Sequence, residues 1–269
     1  MEFFNLLGRA AKLWFQQGAD QHAAALAYFM PFALTPLIIF SITIVGFMVG
    51  SEQIITMLLR WGNSIDTELT QLIYTSVQNF NALNTYYLLP ILGVIFLSLM
   101  IVFALNSYTS ALHDMWNVKA IGWRNYAKRI FRIFLVILVL QGYLIMIILL
   151  NNTFVAFTWL SDSLWWQAVH SVISFFITVV LIMIMYGVLA LESPPLSARF
   201  AGAIVAGTLL LFSRELVALH FATAPVQSLF GAAGLLISLL VWVYVSAGIL
   251  LFGAAFAKVY ETREPKFTQ

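Results

Sequence analysis

"FRIFLVILVLQGYLIMIILL" (residues 131–150) carries one charge, Arg132, and then no other. About 20 predominantly apolar residues suffice for a helix to cross the hydrocarbon of a bilayer. Inside that layer no water can satisfy a peptide group, so a single crossing segment must be helical. The stretch predicts a membrane-spanning helix, and five others resemble it: Ala23–Gly50, Tyr87–Leu105, Ala168–Leu191, Ala201–Leu219 and Ala232–Ala257. Together they predict an all-α polytopic membrane protein with six transmembrane helices. The 269 residues are 62% hydrophobic and 9% charged, with a mean hydropathy of +0.95, against an apolar share of about 45–50% in soluble domains. A soluble α/β enzyme would show strand-length runs broken by polar turns, and this pattern is missing. No polar stretch is long enough to bury a separate core, so residues 1–269 are expected to form a single membrane domain. Its parts are an N-terminal segment 1–22, a six-helix bundle 23–257 containing an outer loop 51–86, and a basic tail 258–269. With no cysteine in the chain, disulfides and thiolate metal sites are excluded.

Lys and Arg set the orientation. With the N-terminus inside, the inner segments hold Arg9, Lys12, Lys119, Arg124, Lys128, Arg129, Arg132, Arg199, Lys258, Arg263 and Lys266, whereas the outer segments hold Arg60. Such an excess marks the cytoplasmic side. Both termini are therefore expected in the cytoplasm. No short apolar core followed by a small-residue cleavage site opens the chain, so the first span is expected to be retained.

The segments between spans have patterns of their own. "FFNLLGRAAKLWF" (3–15) places Phe3, Phe4, Leu7, Ala11, Trp14 and Phe15 on one side and Arg9 and Lys12 towards the other. This predicts an amphipathic helix lying on the inner leaflet. In the outer loop, Ile65, Leu69, Leu72, Ile73 and Val77 repeat at helical spacing, as expected of a helix packed on the bundle or the lipid surface. Lys128, Arg129 and Arg132 cluster just before the third span, where anionic inner-leaflet lipid would attract them. The alternative is that they only set topology. Five basic residues beside a membrane are poor evidence for nucleic-acid binding, which is not expected.

The fifth span holds an anomaly, "LLLFSRELVALHF" (209–221), with Arg214 and Glu215 side by side in a hydrocarbon-rich run. At 1.5 Å per residue Arg214 lies about 20 Å along a helix begun at Ala201, in the outer half of a core about 30 Å thick. Ionisable residues at such depth are candidates for function. Adjacent side chains diverge by about 100°, so at least one needs a partner elsewhere. His220, an Asn or Tyr of a neighbouring helix, water or a ligand would serve. The functional expectation is that Arg214 holds an anionic headgroup and Glu215 orients it; the structural alternative is that Arg214 snorkels outward.

Three stretches carry a family resemblance. "AAALAYFMPFALTPLIIF" (23–40), "LNSYTSALHDMWNV" (105–118) and "FGAAGLLISLLVWVYVSAGILLFGAAFAKVY" (230–260) resemble the first helix, the second-span exit and the last helix of the YihY/BrkB family. The likeness runs over nearly the whole chain and implies a six-span bacterial inner-membrane protein with both ends inside. One departure stands out. The family commonly shows Tyr-Arg before a Pro at the exit of the fourth span, whereas here Tyr186 is followed by Gly187. Family members have carried ribonuclease and virulence or serum-resistance labels, and an envelope-lipid transport role has been suggested for relatives.

A nuclease needs clustered carboxylates holding metal ions, or a His with a basic partner. Asp20, Asp114, Glu192, Glu261 and Glu264 are scattered over separate segments, and the neighbours His113 and Asp114 point apart. No zinc-protease, phosphate-loop or serine-hydrolase motif occurs. The chain is therefore expected to be no enzyme and to hold no cofactor and no metal. Transport fits better. Pro31 and Pro36 are expected to break the backbone ladder of the first span, and broken helices recur around transporter sites. Ala203 with Gly207, and Gly253 with Ala257, make small-residue faces suited to helix packing. The expected substrate is an anionic amphiphile such as a lipid, touched by Arg214, Glu215, His220, Tyr28, Pro36, Trp242 and Tyr244. A non-catalytic membrane scaffold or assembly factor is the alternative.

Overall fold

The computed structural model describes residues 2–49, 88–118, 123–156, 164–190, 194–223 and 232–262. Their regular structure is helical throughout: α1 (Glu2–Gln16), α2 (Ala19–Val49), α3 (Leu88–Trp116), α4 (Trp123–Ala156), α5 (Leu164–Leu189), α6 (Leu196–Thr223) and α7 (Ala232–Glu261). The expected spans 131–150, 201–219 and 232–257 fall within α4, α6 and α7, and the described parts of the other three overlap α2, α3 and α5, with Gly50, Tyr87 and Leu191 outside the described residues. The outer loop 51–86 lies outside the described residues, as does the tail beyond 262.

Several helices outrun the apolar stretch that announces them. α3 continues past Leu105 to Trp116, because Tyr108, Leu112, Met115 and Trp116 still bury a full face. The 34 residues of α4 extend about 51 Å, more than a bilayer core of about 30 Å requires. α2 runs without interruption through Pro31 and Pro36. The expected break is therefore a missing donor within a continuous helix, which a membrane helix tolerates when its neighbours support it. Among the described residues, four stretches are long and apolar enough to cross a membrane: Lys128–Leu150, Ala168–Leu189, Leu196–Leu216 and Ile237–Glu261.

Two helix ends are set by left-handed residues. Gly18 (φ 62°) closes α1, donating to the Phe15 carbonyl at 3.3 Å, and turns the chain into α2. Asn117 (φ 54°) closes α3, with Asn117 N–H on Asp114 O and Val118 N–H on His113 O at 2.9 Å. The latter pair is the double bond of a Schellman cap.

In the bundle, α2, α7, α6, α5 and α4 follow one another in contact and close on themselves, and α3 packs against α2, α7, α4 and α5. The C-terminal half of α3 fills the middle through Ala104, Leu105, Tyr108, Ala111, Leu112 and Met115. α6 and α7 approach most closely. A Cβ on Gly253 would stand 2.7 Å from both Ala206 Cβ and the Gly202 carbonyl, and one on Gly202 would meet Gly253 O and Ala257. The expected small-residue face of α7 is thus the contact face. Its counterpart on α6 is Gly202 with Ala206; Gly207 instead abuts Val179 and Phe175 of α5.

Outward, the helices present Phe131, Phe134 and Leu138 of α4, Val172 and Phe176 of α5, Phe212 and Leu216 of α6, and Val241 of α7, all exposed. Soluble monomers rarely expose apolar patches beyond a few hundred Å². An apolar belt outside a packed bundle is the arrangement of a membrane protein.

Candidate functional site

α1 does not stand clear of the bundle. Leu6 and Ala10 bury against Phe256 and Val259 of α7, and the Trp14 indole N–H donates to the Gly248 carbonyl at 3.0 Å. The 3.6-residue period that buries Leu6 and Ala10 on α7 turns Phe3, Leu7, Ala11 and Trp14 towards a space bounded by α6 and α7. The helices do not fill the space so formed. A groove of about 840 Å³ lies between α1, α6 and α7, lined by Phe3, Leu7, Ala11, Trp14, Phe15, Ile204, Val205, Thr208, Leu209, Tyr244, Val245, Gly248, Ile249 and Phe252. That volume is of the size that takes small molecules. The lining is almost wholly apolar, so it suits a hydrocarbon chain and offers nothing to a charged reactant.

Of the residues expected to touch substrate, Tyr244 lines the groove. Trp242, on the same helix, is exposed. Arg214 and Glu215 are exposed on α6 beyond the groove's last residue on that helix, Leu209. Glu215 is seven residues from Thr208, which places it on the same face about 10 Å further along. Tyr28 lies elsewhere, 62% exposed on α2 among Phe29 and Phe32. Pro36 sits within α2 and His220 near the end of α6. The groove thus takes in Tyr244, with Glu215 in register beyond it and Tyr28 on another helix; the side chains of Pro36 and His220 lie outside what is described. The α1 face was legible as a stripe; that it walls a groove required knowing which helices it meets.

A second group lies where α5 ends and α6 begins. Lys128 is exposed, but Arg129 and Arg132 turn inward. Arg129 Nη2 donates to Asn106 O at 2.7 Å and Ser110 Oγ at 2.8 Å, tying α4 to α3. Arg132 Nη1 donates to Ala190 O, just past the end of α5. Arg199 of α6 extends over Gly187, where a Cβ would collide with its guanidinium. The position that departs from the resembled pattern therefore still carries a guanidinium, delivered from another helix. His113 is buried, and its pKa is lowered by that burial and then by Arg129. Asp114 points the other way and pairs with His22 at 3.0 Å. Among the described residues no three His, Cys, Asp or Glu side chains are placed to hold a metal ion.

Residues 11–269 match the family model described as Virulence factor BrkB. Similar curated proteins are named UPF0761 membrane protein, from Coxiella burnetii strains including Dugway 5J108-111 and RSA 331 / Henzerling II. Each is 24% identical over 254 residues, covering 91% of this chain and 88% of the relative. No solved structure matches the chain.

Proposed function

The chain belongs to the Virulence factor BrkB family, and from that membership we propose a six-span bacterial inner-membrane protein that transports or translocates an amphiphile such as a lipid. The observation that carries this reading is the apolar groove under α1. A groove of that size in a membrane-embedded bundle excludes water and accepts acyl chain. Tyr244 at its wall and Glu215 beyond its outer end are the polar groups an amphiphile's head would reach, with Arg214 beside them. The six-span count is supported by α2 and α3, helices of 31 and 29 residues, alongside the four stretches already long and apolar enough. The distribution of Lys and Arg supports cytoplasmic termini.

A photoactivatable lipid tests the reading. In membranes it should crosslink to peptides of α1, α6 and α7, and Thr208→Trp, which fills the groove, should abolish that labelling while the protein still accumulates. Labelling unchanged by Thr208→Trp would sink the groove as the lipid path. Labelling of a second protein in place of lipid would favour the scaffold reading.

A further inference from the structure

Arg214 and Glu215 are neighbours in sequence but face different parts of the bundle. Positions seven apart share a helix face, so Glu215 continues the stripe of Ile204 and Thr208, which line the groove. Arg214 stands seven residues from Gly207, which abuts Val179 and Phe175 of α5. The carboxylate is therefore carried on the groove side of α6 and the guanidinium on the side of α5. Both residues are exposed, and among the described residues no ion pair joins them.

The packing of α6 on α7 brings a second group to the level of the carboxylate. The two helices run antiparallel, with Gly202 against Ala257 and Ala206 against Gly253. Glu215 is nine residues beyond Ala206 along α6, and Tyr244 is nine before Gly253 along α7. Each helix advances about 13 Å over that interval, so the two residues stand at one height at the outer end of the groove. Tyr244 lines the groove and is exposed. The described lining holds no charged residue.

On the reading that the groove is the lipid path, we propose that its outer end takes the protonated amine of an amphiphile. Glu215 accepts the amine's N–H groups, and Tyr244 offers its ring face. A carboxylate within the hydrocarbon selects a cation, because an ionised group at that depth is costly unless it is paired. An ammonium supplies charge-assisted hydrogen bonds to it, and the negative face of a tyrosine ring attracts the same charge. A purely anionic head is repelled by Glu215 and finds Arg214 only about 100° around the helix.

The test uses the full chain in neutral detergent and lipids with a photoreactive group on the acyl chain. Three probes share the same chains: phosphatidylethanolamine, its N-acetyl derivative, which has lost the positive charge, and phosphatidylglycerol. Phosphatidylethanolamine should half-saturate labelling of α1, α6 and α7 peptides at a concentration about tenfold or more below the other two, as one charge-assisted contact supplies. Competition by dodecylamine shows that an amine on a single chain suffices; failure to compete confines the site to the phospholipid. Glu215→Gln should erase the preference for the amine while labelling by the N-acetyl lipid persists. Glu215→Lys should turn the preference towards phosphatidylglycerol, and Tyr244→Leu should weaken the amine lipid alone, by about two- to fivefold. The wild-type comparison needs no variant, so it decides even where Glu215→Gln fails to accumulate. Equal labelling by all three heads, or a preference for phosphatidylglycerol, overturns the amine site and leaves the groove standing. A preference for the amine that survives Glu215→Gln does the same. No labelling of those peptides by any head overturns the groove, and the amine site with it.

Discussion

Gly253 shows how much one missing side chain can decide. Added there, a Cβ would lie 2.5 Å from the Tyr186 hydroxyl and 2.7 Å from Ala206 Cβ. The same hydroxyl donates to Leu250 O at 2.5 Å, so it cannot retreat without leaving that carbonyl. Overpacking of this kind costs about 1–3 kcal/mol. Gly253→Ala should lower the thermal midpoint in detergent accordingly, whereas Gly8→Ala, with nothing within 4 Å of its Cβ, should be neutral or stabilise by up to about 1 kcal/mol. Equal effects of the two would refute the crossing geometry. His113 gives a pH dependence. Its folded pKa lies below the ordinary 6.5 because burial and Arg129 disfavour the charged ring. Below pH 6.5 the unfolded chain takes up a proton that the folded chain refuses, so stability falls as pH falls until the lowered pKa is passed. Replacing it by His113→Gln should flatten that decline between neutral pH and the folded pKa; an unchanged profile would assign the decline to other groups. The Gly253/Ala257 face could be read from spacing. Its partner Gly202 could not, since the helix offers several small residues and only the crossing selects among them.

At the scale of the element, α1 is the least expected piece. Its stripe predicts a helix flat on lipid, and the helix forms, but part of the stripe is spent on α7 and the rest encloses a groove. Phe4, 78% exposed, is left outside both, with exposed Arg9 and Lys12 on the polar edge. Gly18 lets α1 fold back, as few other residues accept its φ of 62°. Trp14→Phe keeps the ring's bulk and removes the bond to Gly248 O, a net loss of about 0.5–1.5 kcal/mol. Amide exchange in residues 2–16 should therefore quicken by up to about tenfold while α7 is unaffected. Exchange that stays unchanged in α1 would mean that Leu6 and Ala10 alone hold it. Continuity of α2 through two prolines was not legible, because a missing donor ends a helix or merely weakens it according to what packs around it.

For the whole molecule, the proposed six-span arrangement makes a topological prediction. Reporter fusions at residues 66, 162 and 226 should report the outer side, and those at 120, 196 and 266 the cytoplasm; one robust reversal would break the arrangement. The chemistry makes another. Purified protein should show no metal-dependent RNA cleavage that Asp20→Asn, Asp114→Asn or Glu192→Gln abolishes, and activity tracking any of these would restore the enzyme reading. Asp20 and Asp114 belong to different helices, Asp114 is engaged by His22, and among the described residues no three His, Cys, Asp or Glu side chains are placed to hold a metal ion.

Sequence alone determined that the chain lives in a membrane and crosses it as helices. The cause is local: runs such as 131–150 cannot be solvated by water, and their peptide groups can be satisfied in lipid only along the helix itself. The direction of crossing proposed above is argued from charge counted along the chain and needs no contacts. What meets what is another matter. Arg199 filling the space over Gly187, Trp14 reaching Gly248 across 234 positions, and the groove between α1, α6 and α7 depend on how helices cross. In lipid the crossing is chosen by close packing of small residues rather than by apolar burial, since the surrounding chains are as apolar as the core. Hydropathy is blind to that choice, and only the tertiary structure makes it.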